Sequence, residues 1–213
     1  MILKNSYKDV IPYELVRNET NIQQGDIFTL DKEKIKELFD LSVYDKYDDP
    51  IENFIVVSNS CDIENDSIDF LSIAPSVELN FVIDILIKQM VTKKKKDGNF
   101  YSNKEIKSFV KNIIHNLVLY GSKKFFYLPK NQDYSVNNDC IVHLDIILID
   151  NLKQIRPLIL KNRICTLKNP WKEKLGWAMG NMYNRVALEN YPNDLEKNLL
   201  DCIKQNCEFY KRK

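Results

Sequence analysis

Ser58, Cys61 and Asp62 form the sharpest chemical cluster in this 213-residue chain. They lie in FIVVSNSCDI, where an apolar run gives way to five polar or reactive side chains, Ser58–Asp62, before the next apolar residue. A thiol at a strand-to-turn junction is placed to meet solvent, and only its thiolate is a good nucleophile. Catalysis would need a base and a group to orient it. Asp62 cannot be that base, because a neighbouring anion raises a thiol pKa. His143 and Asp145 lie two residues apart and would share one face of a strand, which makes Cys61–His143–Asp145 one reading. The other is that Ser60 and Asp62 bond the backbone of the turn, with Cys61 as a small buried filler.

Two arginines late in the chain, Arg163 and Arg185, could hold phosphate or carboxylate in fork geometry. Asp62 and Asp145 are the expected partners for them. Helical spacing over NPWKEKLGWAMGNMYNRVAL gives a core stripe through Trp171, Leu175, Met179 and Met182. The opposite face carries Lys174, Trp177 and Asn181. An indole beside a cation and an amide can stack a base and hold a phosphate; equally, Trp177 could lie half-buried against the neighbouring layer.

Other combinations carry less. Cys140-x-x-His143 with Cys61 and Asp62 has zinc-ligand chemistry, but strand positions three apart face opposite ways, so no metal and no cofactor are expected. Lys93–Lys96 with Lys123 and Lys124 could touch a phosphate backbone, or could be a solvated turn between helices. Glycine-rich phosphate loops, paired-histidine zinc helices and nucleophile elbows are not found.

The chain has 31 basic and 30 acidic residues, a net charge of +1. That excludes a global electrostatic drive towards nucleic acid or membranes and leaves only local patches. Five irregularly spaced cysteines, no secretory start and no apolar run near the ~20 residues that span a bilayer point to reduced thiols, a cytoplasmic location and no membrane.

These side chains need elements to position them. The pattern predicts strands at 26–30 and 53–59, and another in IDFLSIAP with Ile68 and Phe70, and with them Leu71 and Ile73, as the candidates to face in. A capped helix is expected over 32–41. Apolar helical spacing follows over 77–92, and a capping box at Ser102 and Glu105 opens a second helix over 103–119. KKFFYLP and a single strand over 140–149 follow, then RPLIL and RICTL as short extended pieces. Helices are expected from Pro170 to about 188 and over 194–210. The whole reads as one α+β domain: barrel strands over about 25–76 and 123–167, a helical insertion over about 77–119 and C-terminal helices over about 170–210.

The order QGDIF, a charged insertion and FIVVSNSCDIENDSIDFLSIAPSVEL resembles the opening of MazF/PemK-type toxins. That resemblance implies a small SH3-like, partly open β-barrel of five or six strands that acts on single-stranded RNA. Asn53-Phe54 stands where those toxins carry a catalytic Arg-Pro, which implies weakened or altered nuclease chemistry. Taken whole, the chain also resembles a set of bacterial proteins that share a GDI strand, an S-x-x-C-D turn, FFYLP and a late Pro-Trp-x-Glu. Here these are Gly25–Ile27, Ser58 with Cys61-Asp62, Phe125–Pro129 and Pro170–Glu173. That second likeness implies no activity and points only to a mobile-element or phage-defence setting.

The expected function is therefore a nucleic-acid-directed bacterial protein, RNA-binding or ribonuclease-like. Ser58, Cys61, Asp62, Arg163 and Arg185 would serve as its catalytic set, and Lys174, Trp177 and Asn181 as its RNA-binding face. The alternative is a non-catalytic subunit that offers helical surfaces to a protein partner. A third reading, a thiol hydrolase, rests on Cys61.

Overall fold

The computed structural model describes residues 11–16, 21–38, 51–65, 67–93, 98–119, 122 and 124–183. The chain divides into two units, Met1–Met182 and Tyr183–Lys213, and the account below concerns the first. Arg185, Lys94–Lys96, Lys123 and the expected helix over 194–210 lie outside the described residues.

The fold is α+β, built on a curled, wholly antiparallel sheet of eight strands. These are β1 (Tyr13–Glu14), β2 (Asp26–Phe28), β3 (Ile51–Val56), β4 (Phe70–Glu78), β5 (Phe125–Leu128), β6 (Cys140–His143), β7 (Leu148–Asn151) and β8 (Arg163–Leu167). Their order is β1-β8-β2-β3-β4-β6-β5, and β7 also pairs with β4. The central strand, β4, meets β3 along one edge. Along the other it meets β7 at Phe70–Ile73 and β6 at Ser76–Glu78. The described helices are α1 (Lys32–Leu38), α2 (Ser60–Glu64), α3 (Leu79–Thr92), α4 (Asn103–Val118), α5 (Leu152–Asn162) and α6 (Trp171–Tyr183).

Alternation along the strands gives the sheet two apolar faces. Tyr13, Ile27, Ile55, Cys165 and Leu167 share a cluster with Leu175 and Met179 of α6. Phe28, Phe54, Leu71 and Ile73 share another with Ile63 of α2 and Leu152, Ile155 and Ile159 of α5. Burying a Phe or Leu side chain contributes roughly 1.5–3 kcal/mol, so these clusters hold α5 and α6 in place. Val82 of α3 and Leu117 of α4 join Val77 and Ile141 in a third, smaller cluster.

Several expectations change. The strand expected over 140–149 is two, β6 and β7, because the chain turns at Leu144-Asp145. RPLIL lies inside α5, not in an extended piece. Pro157 is tolerated there because Asn151 caps the helix through the Lys153 N–H (3.0 Å) and an apolar stripe anchors it. Of the residues expected to face in from β4, Leu71 and Ile73 are fully buried and Phe70 is exposed, which fixes the strand's register. Val77 belongs to β4, where it pairs with Ile141, and α3 starts at Leu79. The described strands number eight, not five or six. The capping box at Ser102 and Glu105 is present with both of its bonds.

Gly25 makes the turn into β2 at φ +86°, a left-handed conformation that suits glycine. A Cβ there would stand 3.0 Å from Leu167 Cβ. Its N–H donates to the Val56 carbonyl (2.8 Å), and its carbonyl accepts from Leu167 N–H (2.9 Å). Gly25→Ala is therefore expected to cost about 1–3 kcal/mol, read from urea unfolding; an unchanged midpoint would contradict this account of the turn.

Candidate functional site

The segment Asn21–Asp26, which ends on the first residue of β2, is where Arg163, one of the expected site residues, is held. Its last member, Asp26, is fully buried and holds Arg163 at the start of β8, whose side chain is 4% exposed. Arg163 Nη1 donates to Asp26 Oδ2 (2.6 Å) and to the Asn21 carbonyl (2.6 Å). The Gln23 N–H donates to the same Oδ2 (3.0 Å). Burial raises the Asp26 pKa above the usual carboxylate range, only partly offset by Arg163 and the Gln23 N–H.

The two glutamines reach outwards from this pair. Gln23 Nε2 donates to Thr166 Oγ1 (3.4 Å), and its Oε1 accepts from Lys172 Nζ (2.9 Å) near the start of α6. The Gln24 N–H donates to Ser60 Oγ (3.0 Å), and its Nε2 donates to the Val57 carbonyl (3.0 Å). Gly176 of α6 allows the contact: a Cβ there would lie 3.3 Å from Gln24 Oε1. One short segment thus ties the end of β3, α2, β8 and α6 together.

Around it lies a cavity of about 770 Å³. Glu14, Asn21, Gln23, Glu64, Tyr134 and Thr166 are among its lining residues. Glu14 and Asp26 both pair with Thr166 in the sheet, from opposite sides, so the three form one cross-strand row on one face.

The expected site residues can now be placed. Ser58 is structural: its Oγ accepts from the Ser72 N–H (2.8 Å) and fastens the end of β3 to β4. The polar run is a short helix, not a tight turn, because Asn59 caps it by accepting from the Cys61 N–H (3.4 Å). Cys61 and Asp62 are exposed on that helix. Neither Asp62 nor Asp145 pairs with Arg163; Asp26 takes that place.

His143 and Asp145 do pair (Nδ1–Oδ1 3.4 Å). His143 also stands edge-on to Phe125, and Asp145 holds Lys124 Nζ (3.3 Å). His143 and then Lys124 lower the Asp145 pKa against an opposing effect of burial. The pair sits elsewhere along β4 from Cys61. Ser58 meets β4 at Ser72, whereas Val142, beside His143, pairs with Ser76, roughly 13 Å further along. Lys124 thus has a partner in Asp145 at the surface. Cys140 is buried and donates to the Asn138 carbonyl (3.4 Å). Among the described residues no three His, Cys, Asp or Glu side chains group as metal ligands would.

Lys174, Trp177 and Asn181 share one exposed face of α6, opposite buried Leu175 and Met179. Trp177 is 67% exposed, and Lys174 Nζ lies 5.8 Å from the Trp171 ring centroid. The glutamines and Asp26 were not among the expected residues. QGD read only as a strand start, and nothing local shows that Asp26 meets a side chain 137 positions away.

The chain matches no protein-family model, and no curated protein matches it.

Two outcomes follow. Asp26→Ala leaves the Arg163 guanidinium buried without its acceptor and is expected to cost about 3–5 kcal/mol, whereas replacing both residues with apolar ones of similar volume costs far less. Ionising Asp26 costs stability as pH rises from 3.8 through its raised value. The wild-type advantage over Asp26→Ala should therefore shrink with pH across that window in urea melts; an advantage that grew would reverse the assignment. Second, iodoacetamide at neutral pH should alkylate Cys61 in the native protein and spare Cys140 and Cys165. Burial pushes both of those thiols up to about 12. Mass spectrometry of native and unfolded samples reads this, and equal native labelling of the three would contradict it.

Proposed function

We propose that this is a nucleic-acid-directed protein that binds single-stranded RNA, of the bacterial toxin or phage-defence kind. In this reading the curled sheet is an SH3-like, partly open barrel, with α3 and α4 as a helical insertion between its strands. Trp177 carries the reading. It is a large apolar ring left open to water between Lys174 and Asn181, on a helix whose other face is fully used. Stacking on an aromatic ring is worth about 1–3 kcal/mol per base and tolerates any base, while a lysine beside it neutralises phosphate. Gln23 and Gln24 join this helix to α2, so Cys61 and Asp62 border the same region. Arg163 supports the site as a positioning residue, since Asp26 and the Asn21 carbonyl already hold it.

A second reading, a non-catalytic subunit of a bacterial complex, has its own observation. Helix α3 is strongly apolar, yet Val82 is its one buried residue among those described, and Val91 and Ile114 on α3 and α4 are exposed.

Fluorescence anisotropy with a labelled U-rich 10-mer at about 50 mM salt separates the two. Binding that weakens steeply with salt is expected. Trp177→Ala should weaken it about tenfold while leaving stability within about 0.5 kcal/mol, and Trp177→Phe should retain most of it. Absence of binding at low salt removes the RNA reading and leaves the second.

A further inference from the structure

Helices α3 and α4 carry more apolar surface than the sheet beneath them covers. We infer that this surface docks an amphipathic helix of a partner protein, one with an apolar stripe and acidic flanks. The inference rests on the second reading above and names the chemistry of the partner.

Among the described residues of the two helices, only Val82 and Leu117 are buried. Ile83, Ile87 and Met90 repeat at the i, i+4, i+7 spacing of a single helix stripe. All three are half-buried, and none joins the three buried clusters. Val91, one turn past Ile87, is 50% exposed, and Ile114 of α4 is 43% exposed. A helix that is apolar over most of its surface needs cover on more than one side. Partner helices are read through anchors at this same spacing.

The charge says what kind of helix fits. Residues 79–118 hold eight of the chain's 31 basic residues and only three of its 30 acidic ones, a local excess on a chain of net charge +1. Lys104, Lys107 and Lys111 follow at i, i+3, i+7 and lie exposed along one side of α4. Among the described residues none of the three has an ion-pair partner. Glu105, the single acid of α4, accepts from the Ser102 N–H (2.8 Å) and hydroxyl (2.7 Å) in the capping box. Ile114 stands three residues after Lys111 and seven after Lys107, so the lysine row borders an exposed apolar side chain.

A helix with glutamates or aspartates flanking an apolar stripe meets both features at once. A phosphate chain would use the lysines and leave Val91 and Ile114 in water. A second copy of this chain would set lysine against lysine. The sixteen residues of α4 span about 24 Å, room for a partner helix of about four turns.

The test uses three labelled 21-mers, measured by anisotropy at about 50 mM salt on the full-length protein. The first has leucine at a and d of each heptad and glutamate at e and g. The second has lysine in place of those glutamates, and the third is a scramble of the first. The glutamate helix is expected to bind about tenfold tighter than the other two, and less tightly as salt rises. Lys107→Glu with Lys111→Glu, both at exposed positions, should reverse the preference towards the lysine helix. Ile114→Ser should weaken the glutamate helix, and Trp177→Ala should leave it unchanged. Equal binding of the glutamate and lysine helices overturns acidic selection and leaves the subunit reading standing. A glutamate preference that survives the double substitution also overturns the inference. If no helix binds, the inference and the subunit reading fall together at this surface. Phosphatidylserine vesicles or the U-rich 10-mer, bound by the wild type and lost in the double variant, would assign these lysines to phosphate and overturn it as well.

Discussion

The Asp26–Arg163 pair is the constraint on which the rest of the site depends. A fully buried carboxylate and a nearly buried guanidinium lock the start of β8 onto the turn that feeds β2. Such a pair is weak evidence of net stability, because desolvating two charges costs several kcal/mol each. Its effect is positional. With Asp26 fixed, the Gln23 N–H is fixed too, and the two glutamines are aimed at opposite neighbours. One reaches Thr166 and Lys172; the other reaches Val57 and Ser60. Elements more than a hundred residues apart in sequence are thereby held around one cavity.

The sheet explains why this arrangement falls where it does. β8 sits between β1 and β2, so its residues bring an N-terminal strand and a turn into register. Thr166 faces Glu14 on one side and Asp26 on the other, and the row grades from an exposed carboxylate to a buried one. Leu175 and Met179 anchor α6 to the sheet, which leaves Lys174, Trp177 and Asn181 for solvent. Packing and display are thus divided between two faces of one helix. The glycine at position 176 lets that helix approach Gln24 closely.

Much of this was legible in the sequence where the signal is local. The capping box at Ser102 and Glu105 needs only a three-residue spacing, and the exposed face of α6 needs only helical periodicity. The polar run after β3 was placed correctly at a strand exit. Its helical form was not, because a five-residue helix rests on one cap, Asn59, and on burial of Ile63. Non-local features stayed hidden. Arg163 could have paired with any of several acids, and only the β2–β8 register selects Asp26. Pro157 reads as a helix breaker until the stripe of Leu152, Ile155 and Ile159 is seen to be buried. Phe70 and Leu71 are both apolar, so alternation alone left the register of β4 undecided by one residue.

The central proposal is that the exposed face of α6, tied to the turn before β2 through Lys172 and Gln23, takes a single strand of RNA. Crosslinking a 4-thiouridine-substituted 10-mer to the full-length protein, with peptide mapping by mass spectrometry, tests it most directly. Crosslinks on the peptides carrying Trp177 and Glu14–Gln23 are the predicted result. Crosslinks confined to the lysines of α3 and α4, with none on those two peptides, would contradict it.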